Sequence, residues 1–337
     1  MTEISFLHLR RFESSSSSLS PLSRNTIYRI YSMTKPIVSI ALLQLVAAGR
    51  LSLDDELSKF LPYFAEQRVL VGGTVESPIT EPPRTPITIR HLLTHTSGLC
   101  YGIFGNLLSD QLLRRSVGEA SAKAWYSDMD MRSLLSKHVA KVPLAFHPGE
   151  RFLYGLSTDV LGVVIESVTG TSLHEHLKGA MFDKIGMSDT SFVVDPHDLH
   201  RLSPCFDFLP GFGYKPATNP EIARHELNLD FLSGGGGLVS TIDDYCLLVA
   251  TLLRGGVAPN GVVMLPKELL DLMTTNQVRG GGTTTLPGGL GLDNQYLLTM
   301  ASRTQTKHPL LLSPPPPPPS APRRRFPPRL EFRLLLH

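Results

Sequence analysis

From Ile37 to Ala48 only Ser39 and Gln44 interrupt a run of apolar residues. A helix that is apolar on every face has to be enclosed by other elements. The run is too short to cross a bilayer, which takes ~20 apolar residues. It therefore predicts a helix at the centre of a globular core. Pro36 suits that helix's first turn, where one N–H is unpaired in any case. With 337 residues, 42% of them hydrophobic, the chain can enclose such a helix in one large core or two lobes.

At the mouth of this helix stand Ser32 and Lys35. Residues three apart share a helix face, so the hydroxyl and the amine can meet in one cleft. A serine hydroxyl is a weak nucleophile until a neighbouring base takes its proton. A lysine can be that base where burial disfavours its charge. The helix N-terminus adds a dipole that favours a developing oxyanion. A Ser-x-x-Lys tetrad alone fits an N-cap serine beside a solvated lysine equally well, so its surroundings decide.

Five further segments follow in order. They are residues 51–62, Leu-Leu-Thr-His-Thr-Ser-Gly-Leu at 92–99 within 87–99, Phe146-His147-Pro148-Gly149-Glu150-Arg151-Phe152-Leu153-Tyr154, residues 159–190, and the glycine-rich 234–241. Together with Ser32-Met33-Thr34-Lys35 they resemble the serine beta-lactamase and penicillin-binding-protein superfamily. The nearest branch is the class C-like one, with carboxylesterases of the family VIII type and related acyltransferases. The resemblance covers residues from about 25 to about 293. It implies an α+β fold of the beta-lactamase/DD-peptidase type, with an antiparallel sheet flanked by helices and a mostly helical lobe at 66–225.

The resemblance also implies roles. Ser32 would attack an ester or amide carbonyl of a small molecule and become acylated. Lys35 would act as base or as a charge acting on its partner. Tyr154 would relay the proton between Ser32 and the leaving group. Tyr154-Gly155-Leu156 stands where the family's Tyr-x-Asn lies, and that weakens amide recognition as in beta-lactams. The family's third motif is a strand carrying Lys-Thr-Gly or His-x-Gly, and it supplies the second oxyanion donor. No copy follows residues 286–292, which resemble the strand before it. Loss of one such donor costs about 10²–10³ in turnover, and loss of the strand opens a sheet edge. The leading expectation is a serine esterase. The alternatives are a beta-lactamase or D-alanyl-D-alanine peptidase, and a truncated relative that binds without catalysis.

The remaining sequence sets limits. Residues 1–24, with serines at 14–18, read as a flexible segment, and 25–299 as the hydrolase domain. Residues 300–337 read as a disordered Pro/Arg-rich tail, with six consecutive prolines at 314–319. Residues 303–337 hold seven Lys/Arg and one Glu, which leaves 25 basic and 29 acidic side chains in the first 302. That body carries no nucleic-acid footprint. Three scattered cysteines fit neither a disulfide framework nor a metal cluster. His91 and His95 lack the glutamate of H-E-x-x-H and read as structural, so no metal or cofactor is expected. No secretory signal or membrane span is evident, which favours a cytoplasmic setting. Residues 71–86, rich in Gly, Pro and Thr, read as a long loop. Helices are expected at 156–169 and 242–253, each ended by glycine.

Overall fold

The apolar run forms helix α1, Thr34–Ala47, and of its residues only the last, Ala47, is exposed. Ile37, Val38, Ala41 and Leu42 have no solvent contact at all. A 3-10 turn, Tyr31–Met33, leads into it. The computed structural model describes residues 10–12, 19–102, 107–118, 129–209, 213–216 and 231–278. Residues 286–292 and the tail at 300–337 lie outside the described residues.

Helices wrap α1 as its composition demands. Helix α2, Ile89–Leu93, begins with a capping box in which Thr88 and His91 satisfy each other's backbone N–H groups. Helices α3, Leu108–Val117, and α4, Met131–Lys137, follow. Helix α5, Ser157–Thr169, packs directly against α1. Its Val160, Leu161, Val163, Val164 and Ile165 are buried, each worth about 1.5–3 kcal/mol when removed from water. Gly170 ends it in the left-handed conformation at φ +75°, which L side chains rarely adopt. Helix α6, Leu173–Leu177, runs through a π turn, Lys178–Phe182, into α7, Asp183–Ile185. Helix α8, Ile242–Leu253, is capped by Thr241 and is followed by Gly255 and Gly256 at positive φ. Helix α9, Lys267–Thr274, closes the described chain. No described helix is long and apolar enough to cross a membrane.

Among the described residues the strands pair two by two. Strand β3, Tyr28–Arg29, pairs antiparallel with β8, Val239–Ser240. Ser191 bridges to Val239 on one side and Leu202 to Ile27 on the other. This narrow sheet brings the chain just before Ser32 beside the chain just after the glycine run.

Two regions differ from the sequence reading. Within 1–24, expected to be flexible, β1, Arg10–Phe12, pairs antiparallel with β2, Leu19–Pro21. The serine run between them carried no alternating apolar signal. The expected loop at 71–86 contains a hairpin, β4 Val69–Gly73 with β5 Pro78–Glu81. Its glycines serve the turn: Gly73 sits at φ +94°, and Thr74 and Ser77 bond each other's backbone across it. Pro78 stands at a strand start, where no ladder N–H is needed. Strands β6, Phe206–Leu209, and β7, Gly213–Pro216, form a further hairpin.

Candidate active site

Ser32 lies exposed in the 3-10 turn, and Lys35, 9% exposed, is in the first turn of α1. The turn is held in an unfavourable shape. Tyr31, immediately before Ser32, has φ +43°, a strained value for a bulky residue. Its surroundings enforce it. Ile30 N–H donates to Leu238 O at 3.0 Å, and Met33 N–H to Ile30 O at 2.9 Å. The Tyr245 hydroxyl on α8 donates to Met33 O at 3.1 Å. Leu238 N–H donates to Thr34 Oγ1 at 3.2 Å.

Tyr154 reaches this turn from the loop before α5. Its hydroxyl donates to Ser32 Oγ at 2.7 Å, a distance suited to proton transfer. The neighbouring backbone is fixed by Leu153 N–H donating to His95 O at 2.8 Å. Gly155 is required there, because a Cβ would overlap the Leu99 carbonyl oxygen. The His95 ring stacks on the Tyr154 ring, with centroids 5.1 Å apart at 30°.

Lys35 Nζ has three N–H donors and meets three oxygens. These are Ser32 Oγ at 3.3 Å, the Tyr101 hydroxyl at 3.3 Å and Gly235 O at 2.6 Å. It also lies 4.6 Å from the Tyr154 ring centroid, within cation–π range. The three residues singled out by sequence are thus brought together, Ser32 and Lys35 by helical spacing and Tyr154 from the loop before α5.

Tyr101, His95, Asp159 and the Gly235 carbonyl were not assigned to the site by sequence. Buried Asp159 in α5 accepts from Ser233 Oγ at 2.5 Å and Gly235 N–H at 3.0 Å. Burial raises its pKa above the usual carboxylate value, opposed by the Ser233 bond and by the positive Lys35. His95, itself at φ +52°, has an enclosed Nδ1 with no partner. Burial, reinforced by Lys35, pulls its pKa down to about 3, so the imidazole under Tyr154 is neutral at pH 7. The clue available was the first-turn Asp159 together with four consecutive glycines, an acid and a close-packing turn.

The other sequence candidates have structural places. His91 Nδ1 caps α2 by accepting from Thr88 N–H at 3.2 Å. Residues 234–237 form a tight turn in which a Cβ at Gly234 would overlap Thr158 O and one at Gly235 would overlap Asp159 Oδ2. Cys100, Cys205 and Cys246 are free thiols, and burial raises the Cys100 pKa to about 12. Among the described residues no cluster of three His, Cys, Asp or Glu side chains is placed to hold a metal ion.

Comparison with known proteins places this geometry. The beta-lactamase family profile matches residues 11–303. Esterase EstB of Burkholderia gladioli is 32% identical over 306 residues, covering 86% of this chain and 71% of that protein. Lovastatin esterase of Penicillium rubens is 37% identical over 252 residues, covering 73% of this chain and 59% of that protein. Among solved structures, simvastatin synthase (LovD) of Aspergillus terreus superposes with a TM-score of 0.65 at 26% identity, over 80% of this chain and 63% of that one. The chain spans 58–61% of the length of three other curated relatives it matches. With a family profile spanning most of its length, the chain belongs to the beta-lactamase family, on the esterase-like branch of the serine beta-lactamase and penicillin-binding-protein superfamily.

Proposed function

We propose that the protein is a serine hydrolase of carboxylesterase type that acts on small-molecule esters through an acyl-enzyme at Ser32. The observation that carries this is the convergence of Tyr154 and Lys35 on one exposed serine oxygen, at 2.7 Å and 3.3 Å. In the proposed reaction the Tyr154 side chain, with Lys35 beside its ring, acts as the general base and takes the Ser32 proton as Oγ attacks the ester carbonyl. The tetrahedral oxyanion is met by the Ser32 N–H at the start of the helix. Collapse breaks the bond to the alcohol, which leaves with the proton carried by Tyr154. Water then repeats the sequence and releases the acid. The domain that carries this chemistry is read as residues 25–299, with 66–225 as its helical lobe.

Buried Leu156 occupies the position where an amide-recognising relative has asparagine, which supports ester over beta-lactam substrates. A second reading, transfer of the acyl group to another acceptor instead of water, is supported by the likeness to acyltransferase calJ of Penicillium decumbens, 31% identical over 260 residues. The test is intact-protein mass after incubation with a fluorophosphonate, and nitrophenol release from p-nitrophenyl butyrate, with Ser32→Ala as control. An adduct and turnover that vanish in the variant are expected. A cooperatively folded wild type that takes no adduct would overturn the reading.

A further inference from the structure

Lys35 is held by a carbonyl, and that carbonyl is held by Asp159. The Asp159 side chain leaves the first turn of α5 and is 2% exposed. Its Oδ1 accepts from Ser233 Oγ at 2.5 Å and from Gly235 N–H at 3.0 Å. Gly235 then presents its carbonyl to Lys35 Nζ at 2.6 Å. One residue thus gives its N–H to the carboxylate and its C=O to the ammonium. The contact leaves no room for adjustment, because a Cβ at Gly235 would overlap Asp159 Oδ2.

The arrangement is costly for stability alone. Asp159 Oδ2 is enclosed with no polar partner, and an unsatisfied buried polar atom costs about 1–3 kcal/mol. An apolar side chain facing the α1–α5 core would avoid that penalty. What the carboxylate secures is the place of a single carbonyl. The other two oxygens around Lys35 are hydroxyls on rotatable side chains, Ser32 and Tyr101, so the carbonyl is its one backbone anchor among them.

We propose that Asp159 is a positioning residue for Lys35. It pins the 233–235 turn so that the Gly235 carbonyl fixes the ammonium and directs another of its N–H groups at Ser32 Oγ. This role rests on the acyl-enzyme reading above. Among the described residues the hydrogen bonds of the Asp159 side chain run to Ser233 and Gly235 and not to Ser32, so it acts on the rate of acylation and not on substrate binding.

The experiment measures kcat and KM on p-nitrophenyl butyrate and the second-order rate of fluorophosphonate labelling, on folded protein. Asp159→Ala should lower kcat and the labelling rate about 10²-fold, the scale of a misplacement near 1 Å, with KM within about twofold. Asp159→Asn keeps an acceptor for the Gly235 N–H and should recover most of that loss. Gly235→Ala disrupts the same contact from the other side and should reproduce the kcat loss even where Asp159→Ala does not fold. Native labelling rates in Asp159→Ala or Gly235→Ala would overturn the role, as would an Asn variant no better than Ala, or a change in KM in place of kcat. A wild type that takes no label would instead overturn the acyl-enzyme reading, and this role with it.

Discussion

Replacing His95 by asparagine should remove a large part of the protein's acid sensitivity. His95 packs its ring beneath Tyr154 and encloses its Nδ1. Burial, helped by Lys35, lowers its pKa from 6.5 to about 3. The unfolded chain therefore takes up a proton near pH 6.5, while the folded protein resists it down to about pH 3. Between these values the unfolded state binds more protons, so stability rises with pH. The contribution is fully present above the unfolded pKa and is lost as pH falls toward the folded one. From pH 7 to pH 4.5 it amounts to about 2.5 kcal/mol, with about 5 kcal/mol across the whole interval. Part of the His95 surface still meets solvent, which makes these figures a ceiling. Asparagine tolerates the φ of +52° that position 95 requires, and it does not titrate. Urea denaturation of both proteins at pH 7, 6, 5 and 4.5 gives the difference curve. His91, His174 and His176 also have lowered pKa values through burial, and they cancel in that difference. The gap between wild type and variant should close, or reverse, by up to about 2.5 kcal/mol on acidification. Two parallel curves would refute the placement of a neutral imidazole under Tyr154.

Tyr154→Phe keeps the ring stack and removes the hydroxyl that lies 2.7 Å from Ser32 Oγ. Steady-state kinetics should show kcat lower by about 10²–10⁴. Leu161→Ala empties a fully enclosed site on α5 and should cost about 2–5 kcal/mol in chemical denaturation. Arg90→Ala breaks an exposed pair with Asp54 at 2.9 Å and should change stability by less than about 1 kcal/mol.

What could be read from the chain follows the range of each signal. α1 announced itself through an apolar run broken only by Ser39 and Gln44, and α5 and α8 through helical spacing with glycine stops. Ser32 and Lys35 were legible because one helical turn sets their distance. Tyr154 was reached through the resemblance of its segment, 122 positions from Ser32. Lys35's other partners lie 66 and 200 positions away, at Tyr101 and Gly235. No periodicity encodes such contacts. The backbone carbonyl of Gly235 is invisible in principle, since every residue has one. The hairpin at β4 and β5 was hidden because its Gly and Pro residues, needed for the turn and the strand start, look like loop composition.

α1 leaves little for Ser32, the proposed nucleophile, to do but stay still. With only Ala47 exposed, its backbone amides are tied to the most enclosed part of the molecule, and such amides exchange with solvent only through global opening. Ser32 therefore sits in a turn that leads directly into an element that cannot be retuned by small changes without unfolding the protein. On the proposed esterase reading, divergence toward new esters has to proceed on other parts: Tyr31, Tyr101 and the turn at 231–237. A library of variants confined to those positions would explore specificity, whereas one spread through α1 would mostly return unfolded chains.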